Sequence, residues 1–378
     1  MYEYQNNIRT SSMGIKDLFP TEEDLRRHLQ SNNERYVSRL KSVVGTLEQE
    51  HNENKKYHKI GTVLFVPSLA IGLIYIVALW EFKMFFHFGW LLLMSVLLYT
   101  SFYFFKKVKS SGHLYNITIN HELYKILFTE LAVSGKLIGR YGPTVLRNGE
   151  AKLTEKNRWF KSTTIAPYAE RKTVLKQLEQ SELVTDGRNI STVGDIFTLN
   201  SKGEEVRVAE LELMDVQKEV GGGKNKKKVF KGLFFSFELP NTLTHKTFVS
   251  TEGDSDGFGH QTFLKRLKGE GLEVTELEWG QFEDLLQVAT TDPAGARQVL
   301  TPDFMVELYD WWKTKKQNIR ISFNENRLSI LFPDNNIRLG ETIDEITPEA
   351  VGGYMESMAV PMLHVLHIVE DIEKRFSR

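Results

Sequence analysis

The sequence predicts an α+β protein: a two-helix transmembrane hairpin, then a mixed, mainly antiparallel-sheet cytoplasmic domain with a long C-terminal helix. Three observations carry this. Two uncharged runs stand back to back, Ile60 to Trp80 and Met84 to Phe105, of 21 and 22 residues. Short stretches of β-type residues between turn signals recur from Ile196 to Phe332. A long helical pattern then opens at Thr347-Pro348-Glu349. The domain boundaries are 1–59 for an N-terminal cytoplasmic tail and amphipathic helix, 60–105 for the hairpin, and 106–378 for the cytoplasmic α+β domain.

Composition sets the frame for function. The 378 residues carry 48 basic and 49 acidic side chains, a net charge of −1, and no cysteine. Near-neutrality excludes a globally basic nucleic-acid binder but not a local patch. The missing cysteines exclude disulfides, thiolate nucleophiles and cysteine metal sites. The mean hydropathy of −0.30 is an average over unlike parts.

In the N-terminal segment, Thr21-Glu22-Glu23-Asp24 resembles a capping box with Asp in place of Glu. Leu29, Asn33, Tyr36, Leu40, Val43 and Leu47 follow at heptad spacing, with one polar Asn. Two readings stand together here. One is a coiled coil with a protein partner or a second copy, and the other is an apolar stripe packed on the chain's own soluble domain.

Each uncharged run can cross a bilayer, because a helix rises about 1.5 Å per residue and hydrocarbon is about 30 Å thick. Only Glu81, Phe82 and Lys83 separate the runs, so both ends leave on one side. Tyr57, Trp80, Phe85, Trp90, Tyr99 and Tyr103 gather near the ends, as interfacial aromatics do. Lys55, Lys56 and Lys59 precede the first run, Lys106, Lys107 and Lys109 follow the second, and the tip has Lys83 alone. The positive-inside bias places both termini in the cytoplasm, in a multi-pass inner (plasma) membrane protein. The first run begins too late for a cleaved signal peptide.

Beyond the hairpin, His121 to Ser134 is predicted as a helix, with Gly135 as its stop. Residues 141 to 172 read as irregular and mildly basic, net +4, and are interleaved with Trp159, Phe160 and Tyr168. Loop packing suits that segment better than nucleic-acid stacking, so no nucleic acid is expected as a partner. Lys172 to Glu182 reads as a short helix. Ile196 to Leu199 and Val206 to Val216 flank Asn200-Ser201-Lys202-Gly203 as a hairpin. A loop follows, Gly221 to Lys228, and then a buried strand from Val229 to Leu239. Thr244 to Thr251 and Leu272 to Glu278 are further strands. Thr301-Pro302 starts a helix to about Lys315. Ile319 to Phe323 and Leu328 to Phe332 form a hairpin around Asn324-Glu325-Asn326. Pro361 should kink or split the terminal helix, which ends near Phe376.

Several short segments occur in a distinctive order: Val208-Ala209-Glu210-Leu211, Val229-Phe230-Lys231-Gly232-Leu233-Phe234, Leu277-Glu278-Trp279-Gly280-Gln281-Phe282-Glu283, Ala296-Arg297-Gln298-Val299-Leu300-Thr301-Pro302 and Ile321-Ser322-Phe323. In this order they resemble a bacterial family of uncharacterised membrane proteins, domain of unknown function 3137. The resemblance covers roughly residues 113 to 375. It implies an α+β domain beside a membrane anchor in a bacterial inner membrane. It implies no activity, because that family offers no catalytic residues to carry over.

Candidate chemistry is sparse. Gly221-Gly222-Gly223-Lys224 lacks the hydroxyl residue and following helix of a phosphate loop, since Asn225 and a strand come next. Lys224, Lys226, Lys227 and Lys228 are instead candidates for contact with an anion or anionic lipid headgroups. Asp254-Ser255-Asp256-Gly257 lacks the later ligands of a calcium loop. His364, His367, Glu370 and Asp371 share one helix face, and a partly exposed face with a His–Asp contact suits them better than a metal site. Glu210 and Arg297 suit a buried ion pair or helix cap as well as a site.

No catalytic residue, cofactor or metal is therefore assigned. The expected function is a membrane-anchored cytoplasmic interaction or sensing module. Its partners would be the bilayer, through two helices, and a protein or second copy, through the N-terminal helix. The alternatives are an unrecognised hydrolase acting at the membrane on a phosphorylated or lipid-derived substrate, and an anionic-lipid-surface binding module.

Overall fold

The structure, a computed structural model, describes residues 14–82, 88–107, 111–139, 142–147, 150–152, 168–184, 190–201, 204–218, 224–251, 271–277, 279–315, 318–333, 343 and 345–376. The helices are α1 (Ile15–Leu18), α2 (Glu22–Phe82), α3 (Phe88–Lys107), α4 (Ser111–Glu130), α5 (Tyr168–Gln180), α6 (Gly280–Glu283), α7 (Pro293–Val299), α8 (Pro302–Lys315) and α9 (Pro348–Phe376). The strands are β1 (Ser134–Gly139), β2 (Gly142–Arg147), β3 (Glu150–Lys152), β4 (Ile190–Ser201), β5 (Glu204–Lys218), β6 (Lys224–Glu238), β7 (Thr247–Thr251), β8 (Glu273–Thr275), β9 (Leu286–Thr290), β10 (Arg320–Asn324) and β11 (Arg327–Pro333). Two compact units separate: Met1–Glu34 with Leu123–Arg378, and Arg35–Glu122.

The first unit is built on one antiparallel sheet ordered β3-β2-β4-β5-β6-β11-β10-β7-β9-β8. β4 is long enough to hold two partners on one edge, β2 along Ile190–Val193 and β1 along Ile196–Asn200. α5 covers one face, where Val174, Leu175 and Leu178 pack with Ala209, Leu211, Phe234 and Leu331. The other face meets the last turns of α4, where Phe128 lies 5.8 Å from Phe197 between ring centres. It also meets α8, through Trp311 on Phe332 at 4.6 Å and Phe304 on Phe323 at 5.6 Å. Period-two alternation puts each apolar set on its face.

Local signals decide the helix starts. Thr21 Oγ1 accepts from the Asp24 amide at 3.2 Å, and Thr301 Oγ1 accepts from the Phe304 amide at 3.1 Å. Thr347 Oγ1 caps α9 by accepting from the Ala350 amide at 3.2 Å. These are side-chain caps on otherwise orphaned helix donors.

Four expectations are corrected. The Gly221–Lys228 loop is already strand from Lys224, because β5 runs on to Lys218 and gives those residues a backbone partner. Gly135 lies inside β1 rather than stopping α4. The stop is Ala132 at φ 52°, with the Val133 amide bonded to the Phe128 carbonyl. Pro361 lies inside α9 without splitting it. Residues 141 to 172, read as irregular, include β2, β3 and the start of α5. Trp159, Phe160 and the Asp254–Gly257 turn fall outside the described residues.

In the second unit, α2 and α3 pack antiparallel. Tyr57 stacks on Phe104 and Phe65 meets Phe102 edge-on. Ser101 Oγ donates to the Gly61 carbonyl at 2.8 Å, an approach that a small residue permits. Arg39 on α2 pairs with Glu122 on α4 at 2.6 Å. One described helical stretch, Leu47–Ile74, is long and apolar enough to cross a membrane, and Leu92–Lys106 is a shorter apolar helix.

Candidate functional site

Helical spacing sets His364, His367, Glu370 and Asp371 on one side of α9. That side is buried, at 5, 2 and 1% exposure for the first three, rather than partly exposed. Its partners come from α8 and from the segment Gly14–Arg26. His364 Nδ1 is hydrogen-bonded to Glu307 Oε1, and its Nε2 lies 3.2 Å from Glu22 Oε2. His367 places Nδ1 3.2 Å from Glu307 Oε2 and Nε2 3.0 Å from the Phe19 carbonyl. Arg26 donates Nε to Glu22 Oε1 at 2.7 Å and pairs with Glu356.

One turn further along, Glu370 accepts the Ile15 amide at 2.7 Å and the Lys16 amide at 3.4 Å. Asp371 pairs with Lys16 at 2.6 Å instead of contacting His367. Gly14 leaves room for the Glu370 carboxylate. A Cβ on it would lie 2.6 Å from Glu370 Oε1.

The electrostatics follow from these contacts. Burial pushes the His364 pKa down, but the bonds to Glu22 and Glu307 outweigh it and raise the pKa above 6.5. Both ring nitrogens face carboxylates, so only the imidazolium can donate to both. Burial alone would raise Glu307, yet hydrogen bonds from His364 and His367 bring it from 4.5 to about 2. Glu22 falls likewise to about 2, where His364 and Arg26 offset its burial. The cluster is a charge-assisted clamp holding the N-terminal segment to α8 and α9. Among the described residues no group of three or more His, Asp or Glu is arranged to hold a metal ion.

Residues 228–374 match the family described as Protein of unknown function (DUF3137). The match spans this stretch of the chain and not the residues before it. No curated protein and no solved structure matches the chain. His364, His367, Glu307 and Glu370 lie inside the DUF3137 segment, and Glu22, Arg26 and Gly14 lie outside it. The clamp thus ties the matched segment to chain that precedes it.

The other candidates lie apart from the clamp. Lys224, Lys226, Lys227 and Lys228 sit at the start of β6, in register with Lys218, Val216, Asp215 and Met214. Lys228, the first residue of the DUF3137 match, is exposed, with Nζ 4.0 Å from Glu212. Arg297 donates to the Glu276 carbonyl at 3.3 Å. Glu210 is buried and accepts the Asp195 amide at 3.0 Å, where β4 bulges against β5. Tyr124 donates to Glu210 at 3.2 Å and approaches Asp195 at 3.3 Å. Burial, then the Glu210 charge, raises the Tyr124 pKa well above 10.

Sequence reasoning did not single out Glu307, Glu22 or Tyr124 as site residues. Glu307 carries one signal. It lies on the same helical face as the buried Phe304, Leu308 and Trp311 of α8.

Proposed function

We propose that this chain is a membrane-anchored interaction or sensing module, held by α2 and α3 as a two-helix hairpin in a bacterial inner membrane with both termini cytoplasmic. The observation that carries the reading is the outward face of these helices. Val63, Val66, Leu69, Leu73 and Ile74 on α2 are 50 to 69% exposed. Leu92, Val96 and Phe102 on α3 are 54 to 60% exposed. Gly61, Phe65 and Ser68 form the inner face, so the exposed set is a continuous apolar surface of the kind lipid covers. The lysines flanking both helices support the cytoplasmic side for the termini.

Fractionation and reporter fusions test it. The full chain should stay in the membrane pellet after alkaline carbonate, and reporters at both termini should read cytoplasm. Release by carbonate overturns the anchor, and a periplasmic signal at either end overturns the topology. Crosslinking in membranes should recover a partner protein or a second copy. Within the heptad series, Val43 is 45% exposed and free to meet one.

A second reading, contact with anionic lipid, is favoured by the lysines gathered at the end of the β5–β6 arm, where Lys218 lies in register with Lys224. Replacing Lys224, Lys226, Lys227 and Lys228 by Gln should abolish photocrosslinking of the full chain to anionic lipid. Unchanged crosslinking sinks this reading.

A further inference from the structure

On the α5 face of the sheet, a polar island interrupts the apolar packing. Arg207 on β5 and Arg327 on β11 flank Ser236 of β6, and strand register places Arg207 beside Ser236 and Ser236 beside Ser329. The Gln177 side chain of α5, oriented by its neighbours, turns its oxygen to both guanidiniums, 3.1 Å from Nη1 of each. Arg327 also donates to Ser236 Oγ at 3.0 Å.

Two features make this more than a structural network. First, the guanidiniums are only loosely paired with carboxylates. Among the described residues Arg327 has no carboxylate within ion-pair distance, and Arg207 has only Glu170 and Glu205, each at 3.8 Å. Arg207 Nε is buried without a hydrogen-bond partner. Second, the Ser329 side chain, 1% exposed, has a buried hydroxyl with no partner. Two converging guanidinium forks and unused hydroxyl capacity form a donor set for an oxyanion. Gln177 contributes only a neutral amide oxygen where a formal negative charge would be better held.

We infer that this polar cluster binds a small phosphoryl oxyanion, free phosphate or a phosphate monoester, on Arg207 and Arg327 with Ser236 and Ser329. The Gln177 oxygen occupies the position of one anion oxygen and swings aside on binding. The Arg207 side chain, 20% exposed, connects the cluster to solvent. This site is independent of the membrane anchor, so loss of either leaves the other standing.

The test is calorimetric titration of the full chain in detergent with inorganic phosphate, against chloride at matched ionic strength. Phenyl phosphate serves as a second arm that reports a monoester preference. Wild type should show saturable phosphate binding. Gln177→Ala, which removes the internal competitor, should tighten it several-fold. Arg327→Gln should weaken it by about tenfold or more, as loss of a charge-assisted bidentate donor does. Arg327→Lys, which keeps the charge but not the fork, should fall between. A phosphate signal no larger than chloride in both wild type and Gln177→Ala overturns the inference. So does a folded Arg327→Gln that binds phosphate like wild type. If Arg327→Gln does not fold, the Gln177→Ala and Arg327→Lys titrations decide.

Discussion

His364 and Glu307 are hydrogen-bonded across α9 and α8, and the second ring nitrogen of His364 faces Glu22, 342 residues away in sequence. A histidine held between two carboxylates couples the docking of the N-terminal segment to its own protonation. The groups around it are Glu22 and Arg26 on α2, Glu307 on α8, and His367 and Glu356 on the side of α9. Because the folded His364 pKa lies above 6.5, its contribution is complete below 6.5 and is lost as pH rises through the higher folded value. Glu22 and Glu307 run the other way, from 4.5 to about 2, so their contribution is present above 4.5 and fades toward pH 2. Thermal unfolding of the first unit should therefore be most resistant between these limits. His364→Gln should flatten the alkaline limb and cost about 1–3 kcal/mol, because Glu22 and Glu307 keep Arg26 and His367 but lose the charged donor they share. An alkaline limb unchanged in that variant contradicts the assignment.

Glu370 provides a separate test of the clamp. It satisfies two backbone amides of the segment that begins at Gly14. Glu370→Ala should cost about 1–3 kcal/mol per buried amide left without an acceptor. Amide exchange at Ile15 and Lys16 should speed up well before exchange in β6 and β11 does. Uniform acceleration across the sheet would mean that Glu370 supports the whole unit rather than the docked segment.

Much of the fold can be read locally, and the reason is physical. The β4–β5 and β10–β11 hairpins pair neighbours in sequence, and Thr21, Thr301 and Thr347 cap helices within three residues of themselves. What depends on distant partners cannot be read that way. Lys224–Lys228 has the composition of a solvated loop, and it is strand only because β5 continues opposite it. The heptad series splits for the same reason. Leu29, Tyr36 and Leu40 are buried, but burial passes to Val44 while Val43 is exposed, and Asn33 donates to the Pro348 carbonyl. In the candidate site, α9 showed which residues share a face. That this face is buried is not legible from α9 alone, because the carboxylates that pair with its histidines lie on α2 and α8.

Ala132 ends α4 at φ 52°, in the left-handed region. An L-residue there carries a steric cost of about 1–2 kcal/mol that glycine avoids. Ala132→Gly loses part of this gain to the larger entropy of the unfolded chain. The net expectation is a stabilisation of about 1 kcal/mol, read as a rise in melting temperature. A fall would show that the Ala132 methyl makes packing contacts worth more than the strain.

The bulge beside Glu210 yields the last prediction. β4 shifts register between Val193 and Ile196, which turns the Asp195 amide toward Glu210 Oε2 at 3.0 Å. Gly194 makes this possible, since a Cβ there would lie 2.2 Å from the same carboxylate oxygen. Gly194→Ala must displace a carboxylate that also accepts from the buried Tyr124 hydroxyl. The Asp195 amide and the Tyr124 hydroxyl would each lose an acceptor, so the loss should reach about 2–5 kcal/mol. Tyr124→Phe removes only one donor and should cost about 1 kcal/mol. In the double variant the two losses should fall short of additivity, because both act through Glu210. Full additivity by chemical denaturation would show that the Gly194 clash is relieved without moving that carboxylate.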